Sequence, residues 1–275
     1  MTLGGNAVVT GASSGLGREL ARQLVQERGM TVLATARRLD RLEALAAELP
    51  LGRLEILAGD LADAGFRQRL WDRAEAMPGG IDLLVNNAGM GNYADFATQD
   101  PEAIRRIVEL NVVALIDLSQ KAARHMKLRG AGQILQISSV LGFIGLRDSA
   151  VYVASKHAVN GLVKSLRYEL WGTGVRVWAA CPGRTASEFR QVAMGKEGEE
   201  VGPPPGGEPT AKVVRAIVHG LDRRSVFLLP SWRAWLVVAL ARWLPAPFDW
   251  IMCRWAPSSY KDALAQRASR QASSR

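Results

Sequence analysis

The sequence predicts an α/β protein built on one doubly wound parallel sheet with helices on both faces. Three observations carry this. Short runs rich in Val, Ile and Leu recur along the chain, the segments between them carry apolar residues at helical spacing, and a glycine-rich turn joins the first run to the first helical segment. Buried parallel strands read as continuous apolar runs because both of their faces are covered. Right-handed crossovers then place the connecting helices on either side of the sheet.

In chain order, strands are predicted at residues 6–10, 31–36, 53–58 and 81–86, then at 132–138, 175–181 and 226–229. Helices are predicted between them, among others at 18–28, 41–49 and 64–77, each with an apolar face. A chain of 275 residues could hold one large domain or two small ones, and the unbroken alternation decides for one, spanning residues 1–230. Within it, the Gly- and Pro-rich run 195–209 cannot sustain a helix or a central strand. It predicts a loop, placed at 190–210, whose position after the sixth strand favours a lid over a substrate rather than a simple insertion.

Residues 231–262 form a Trp-rich extension in which Trp232, Trp235, Trp243, Trp250 and Trp255 are interleaved with arginines. The longest apolar run there, 234–241, is closed by Arg233 and Arg242 and falls far short of the ~20 residues a membrane span needs. An amphipathic helix pair on a membrane surface, a subunit interface and an apolar wall of the substrate pocket all fit this pattern. Residues 263–275 are small, polar and basic, and predict a disordered tail.

The formal charge is +9, but the arginines are scattered over most predicted helices rather than gathered on one stripe with aromatics, which argues against nucleic acid as a partner. Cys181 and Cys253 have neither metal-ligand spacing nor a disulfide framework, which points to a reducing compartment. Residues 1–6 lack the basic and apolar regions of a signal peptide, so the expected location is the cytoplasm, with membrane association through the extension left open.

The first predicted strand ends in Thr10-Gly11-Ala12-Ser13-Ser14-Gly15-Leu16-Gly17 and opens into a helix. Glycines there let the backbone turn sharply and approach a pyrophosphate, whose charge the helix N-terminus stabilises. NAD-selective sites place a carboxylate after the second strand to bind the ribose 2′-hydroxyl. Here the chain reads Ala36-Arg37-Arg38, and two guanidinium groups suit a 2′-phosphate, so NADP(H) is the expected cofactor, with Ser13 and Ser14 as further phosphate contacts. Asp60-Leu61 and Asn86-Asn87-Ala88-Gly89 follow the third and fourth strands, at the carboxyl edge where open sheets bind ligands.

Tyr152 and Lys156 lie one turn apart at the start of a predicted helix. A free tyrosine titrates near ~10, and an adjacent ammonium stabilises its phenolate, bringing it toward use as an acid/base at neutral pH. Ser138-Ser139 close the fifth strand, where a hydroxyl could hold a substrate oxygen against Tyr152.

The glycine loop, Asn86-Asn87-Ala88-Gly89, Asn111, Ser139 and the Tyr152/Lys156 pair together resemble the short-chain dehydrogenase/reductase family over about residues 4–230. The resemblance implies a single Rossmann domain with a seven-stranded parallel sheet and no metal. It implies a tetrad in which Tyr152 exchanges the proton, Ser139 orients the oxygen, Lys156 binds the nicotinamide ribose and tunes Tyr152, and Asn111 holds a water. It also implies that Asp60 and Leu61 flank the adenine, that Asn87, Ala88 and Gly89 line the adenosine ribose, and that Pro182 and Gly183 lie against the nicotinamide. Ser187, or alternatively Thr185, then takes the place of the threonine that contacts the carboxamide.

The expected function is an interconversion of a carbonyl and a secondary alcohol, with NADP(H) favoured by Arg37 and Arg38 and a small, lipophilic substrate favoured by the Trp-rich extension, in a homo-oligomer, dimer or tetramer. A reductase of acyl groups carried by coenzyme A or an acyl carrier protein is the rival among enzymes. A catalytically silent NADP(H)-binding regulator is the rival of another class, and the complete tetrad argues against it.

Overall fold

The computed structural model describes residues 4–91, 94–186 and 207–255. Among these residues seven strands form one sheet: β1 (Asn6–Thr10), β2 (Thr31–Ala36), β3 (Leu54–Ala58), β4 (Leu83–Asn86), β5 (Gly132–Ile137), β6 (Val175–Ala180) and β7 (Phe227–Leu228). The order is β3-β2-β1-β4-β5-β6-β7 and every pairing is parallel, as the apolar runs predict. Several strands end a residue or two inside their predicted limits. Ile81 shows why: it is fully buried yet lies before the first paired residue of β4, so apolar sequence outlasts pairing.

The helices are α1 (Gly15–Arg28), α2 (Leu39–Ala47), α3 (Ala64–Glu75), α4 (Pro101–Val108), α5 (Ala114–Arg129), α6 (Ala150–Glu169), α7 (Thr210–Gly220), α8 (Trp232–Trp243) and α9 (Pro245–Trp255). Successive strand residues face opposite ways, so the sheet supports two cores. Val9, Val32 and Val85 pack with Leu20 and Leu24 of α1, Leu42 and Leu45 of α2, and Ile217 of α7. Val8, Leu33, Leu84 and Ile134 pack on the other face with Phe66 and Leu70 of α3, Leu118 and Ala122 of α5, and Val163 of α6.

From β1 the chain winds outward to β2 and β3, then returns to place β4 on the other side of β1. That reversal opens a crevice beyond the carboxyl ends of β1 and β4, the place where such sheets bind ligands. Ser187, residues 190–206 of the predicted lid and the predicted tail lie outside the described residues. The far end of the loop is described: Glu208 bridges Thr185, its N–H donating to Arg184 O at 2.9 Å and its carbonyl accepting from Ala186 N at 2.9 Å.

Candidate active site

After Thr10 the chain turns over at Gly11, whose φ of +68° lies in the left-handed region. Asn87, beyond β4, holds this turn. Its Nδ2 donates to the carbonyls of Thr10 at 2.9 Å and Gly11 at 3.2 Å, while the backbone N–H groups of Asn87 and Ala88 donate to Thr10 Oγ1 at 2.9 and 3.0 Å. A Cβ on Gly17 would lie 2.3 Å from both Asn87 Nδ2 and Gly11 O, so only glycine allows this approach. Ser14 is the extended N-cap of α1 and makes no side-chain cap bond. The first-turn N–H groups therefore keep their capacity for an anion, and Leu16 packs down on the core.

Beyond β2, Arg37 is exposed, whereas Arg38 turns back over the glycine loop. Its Nη2 donates to Ser13 Oγ at 3.2 Å and Ser14 Oγ at 2.9 Å. Beside them is a cavity of about 220 Å³ lined by Ser13, Ser14, Gly15, Arg18, Arg41 and Ala44. The sequence reading did not single out Arg18 and Arg41. Their signal was positional: each sits in the first turn of a helix that starts at this edge, although Arg18 also engages Glu48 at 2.6 Å.

After β3, Asp60 Oδ1 accepts from Ala62 N at 3.0 Å and Oδ2 accepts from Arg106 Nη2 at 3.1 Å, while Leu61 is buried. Arg67 fixes this loop from below. It is buried, donates to Leu61 O at 2.7 Å and pairs with Glu109 at 3.0 Å and Asp117 at 2.7 Å. Sequence reasoning missed Arg67, an arginine set on the buried face of α3 between Phe66 and Leu70.

Between α4 and α5 the backbone makes a π-helical turn, Glu109–Val113, that carries Asn111. Such turns widen a helix locally and recur at functional sites. Asn111 is buried, donates from Nδ2 to Met90 O at 2.9 Å and Ser155 Oγ at 3.1 Å, and accepts from Met90 N at 2.9 Å. A Cβ on Gly89 would lie 3.1 Å from Asn111 Oδ1 and 3.8 Å from Lys156 Nζ. The strip from Asn87 to Gly89 thus runs from the glycine loop to the catalytic candidates.

Tyr152 and Lys156 occupy the first turns of α6, with Lys156 Nζ 5.6 Å from the Tyr152 ring centroid. Lys156 is buried and donates to Ile137 O at 2.8 Å. Burial lowers its pKa from the usual lysine value to about 8, against an opposing pull from Cys181. The Cys181 thiol is pushed up to about 12, mainly by burial, with Ser138 and Lys156 acting in the other direction.

The structure separates the two serines. Ser138 Oγ donates to Asn160 Oδ1 at 2.7 Å, and Asn160 Nδ2 donates to Gly142 O at 2.8 Å. Ser139 Oγ accepts from Leu141 N at 3.1 Å, which leaves its own proton for a substrate oxygen. Gly142 lets this turn close on α6, since a Cβ there would lie 2.5 Å from Asn160 Nδ2 and 2.8 Å from Lys156 O. Pro182 O accepts from Val140 N at 3.1 Å, joining the Pro182-Gly183 segment to the Ser139 turn. Among the described residues no group of three or more His, Cys, Asp and Glu is placed to hold a metal ion.

Over residues 5–197 the chain matches the family described as short chain dehydrogenase. It is 38% identical over 192 residues to farnesol dehydrogenase of Aedes aegypti, covering 66% of this chain and 78% of that protein. It is 35% identical over 186 residues to a 3alpha-hydroxysteroid dehydrogenase of Mediterraneibacter gnavus, covering 66% and 74%. A short-chain dehydrogenase from Sphingobium yanoikuyae, solved in complex with NADPH, superposes with a TM-score of 0.77 at 31% identity, covering 92% of this chain and 98% of that one. With a matching fold, a glycine loop seated on Asn87 and a buried lysine beside a tyrosine, the chain belongs to the short-chain dehydrogenase/reductase family and is an oxidoreductase.

Proposed function

We propose that this protein interconverts a carbonyl and a secondary alcohol on a lipophilic small molecule with NADP(H) as cofactor. The observation that carries the proposal is Lys156, buried one turn from Tyr152 and bonded to the end of the strand that presents Ser139.

The crevice fits a dinucleotide. The tight Gly11 and Gly17 contacts make a cradle that side chains would fill, at a helix N-terminus suited to phosphate. Gly11, Ser13, Ser14, Gly15, Leu16 and Gly17 would hold the pyrophosphate, Arg37 and Arg38 the 2′-phosphate, and Asp60 and Leu61 the adenine. Asn87, Ala88 and Gly89 would line the ribose, and Pro182, Gly183 and Thr185 or Ser187 the nicotinamide. When bound, the dinucleotide supplies or accepts the hydride. The Arg38 contacts to Ser13 and Ser14, and the NADPH in the Sphingobium structure, support NADP(H) over NAD.

In reduction, Ser139 and Tyr152 hold the carbonyl oxygen and Tyr152 gives its proton to that oxygen as negative charge develops there. The Lys156 ammonium stabilises the phenolate left behind, and its remaining protons are suited to a ribose hydroxyl. Asn111 acts as a positioning residue, since its amide joins Met90 to Ser155 of α6. Oxidation retraces these steps. The printed names of the farnesol and hydroxysteroid relatives support a lipophilic alcohol as substrate. A reducing, cytoplasmic setting and a homo-oligomer belong to the same proposal, supported by the free thiols Cys181 and Cys253 and by exposed Ile116 and Leu128 on α5.

Fluorescence titration with NADPH and NADH, followed by a panel of apolar ketones read at the reduced-nicotinamide absorbance, tests this reading. Tighter NADPH binding with ketone turnover is the expected result. Turnover confined to acyl thioesters would assign the site to carrier-linked substrates, and binding without turnover would assign it to a regulator.

A further inference from the structure

α8 is apolar on its outward as well as its inward side, which is unusual for a helix at a protein surface. Ala234 faces inward and is buried, with Val238 and Ala241 on the same side by helical spacing. Trp232, Leu236, Leu240 and Trp243 make up the outward side, and the two tryptophans are 69% and 78% exposed. A surface helix ordinarily presents polar residues there. At about 100° per residue, Arg233 and Arg242 fall roughly a quarter-turn to either side of this stripe and flank it.

The chain bends by 113° into α9, which extends the surface with exposed Leu244, Trp250 and Ile251. Arg233 lies over Trp232 at 5.6 Å and Arg254 over Trp250 at 4.8 Å. On this helix pair one acid, Asp249, stands against Arg233, Arg242 and Arg254, and the sequence of residues 256–275 adds four basic residues and one acidic.

Among the described residues no single helix is long and apolar enough to cross a membrane. A helix of the length of α8 spans about 18 Å, against a hydrocarbon core of about 30 Å. Tryptophan and leucine bordered by arginine instead suit the boundary zone of a bilayer, where indoles sit at headgroup depth and guanidinium groups meet lipid phosphates. We propose that the α8–α9 pair docks this protein on an anionic lipid bilayer, with the outward stripe of α8 in the acyl boundary and Arg233, Arg242 and Arg254 on lipid phosphates.

The pair borders the catalytic cleft. A Cβ on Gly183 would lie 3.8 Å from Ala234 Cβ, and Arg147 donates to Cys253 O at 3.1 Å. Docking therefore brings the rim of the cleft to the membrane surface. It does not depend on which reaction the cleft performs.

The test is flotation of the full-length protein with vesicles of phosphatidylcholine alone and of phosphatidylcholine mixed with phosphatidylglycerol. The protein is expected to float with the anionic vesicles and to be released by salt. Trp232→Ser/Trp243→Ser is expected to weaken binding at least about tenfold, from the loss of two buried indoles. Arg233→Gln/Arg242→Gln is expected to weaken it by roughly fivefold per arginine. NADPH titration of each variant establishes that it is folded, and vesicle binding is read without turnover, so failure here is distinct from failure of the proposed reaction. No binding to anionic vesicles overturns the proposal, as does binding that both variants retain in full. A wild-type oligomer that Trp232→Ser/Trp243→Ser converts to a smaller species in sedimentation assigns the face to a second copy and also overturns it.

Discussion

Lys156 donates from Nζ to the backbone carbonyl of Ile137 at 2.8 Å, one helical turn from Tyr152. This bond fastens the start of α6 to the last residue of β5, two residues before Ser139. The tyrosine, the lysine and the serine are thereby set on two elements that share one buried anchor. The same burial depresses the lysine pKa.

That depression gives a pH signature. Lys156 titrates at about 8 in the folded protein and at its ordinary value of 10.5 when unfolded. Between those values the unfolded chain binds more protons, so the stability of the cofactor-free protein rises with pH across the window while the ammonium is lost. Because kcat/KM reports the free enzyme, its value for the reduced dinucleotide is expected to fall as pH rises through about 8. A pH profile of kcat/KM checks this, and a flat profile to about pH 10 contradicts it.

Cofactor preference is expected to follow the arginines at the end of β2. Arg38→Ala removes the guanidinium over Ser13 and Ser14. Charge-assisted hydrogen bonds are worth about 1.5–3 kcal/mol, so NADPH affinity is expected to fall by about tenfold or more while NADH affinity stays close to its original value. Arg37→Ala/Arg38→Ala is expected to bring the two affinities together. Equal losses for both dinucleotides in a fluorescence titration would remove the 2′-phosphate assignment.

Two glycines give opposite expectations. Gly17→Ala places a Cβ 2.3 Å from backbone and amide atoms of the cradle. The loop must then open, and dinucleotide affinity is expected to fall at least about tenfold. Gly161→Ala, at an exposed position of α6 where the new Cβ meets no side chain and no other element within 4 Å, is expected to stabilise the fold by about 1 kcal/mol. Thermal unfolding and cofactor titration of both variants separate the cases. A stable, tightly binding Gly17→Ala contradicts the cradle.

Much of this was legible in the sequence, because the signals were local. Val8 and Val9 sit in an apolar run that serves both cores, so β1 was read at its observed limits. Tyr152 and Lys156 share a face by helical spacing alone. What spacing could not supply was contact between distant segments. The Asn87 amide on Gly11, the choice between Ser138 and Ser139, and the burial of Arg67 against Glu109 and Asp117 all depend on how strands and helices meet. The π-helical turn at Asn111 was hidden for the same reason, since its residues do not differ in type from those of an ordinary helix. The apolar outward face of α8 showed in the sequence as Trp interleaved with Arg, with three readings open, and burial showed which side chains point away from the core.

Tyr152→Phe tests the central claim most directly, because it removes one hydroxyl and leaves the ring beside Lys156. The measurement is ketone turnover at saturating NADPH, paired with NADPH binding by fluorescence. Loss of a general acid is expected to lower turnover by about a thousandfold with binding within about twofold of the original. A Tyr152→Phe protein that keeps more than about a tenth of the original turnover would show that another group moves the proton.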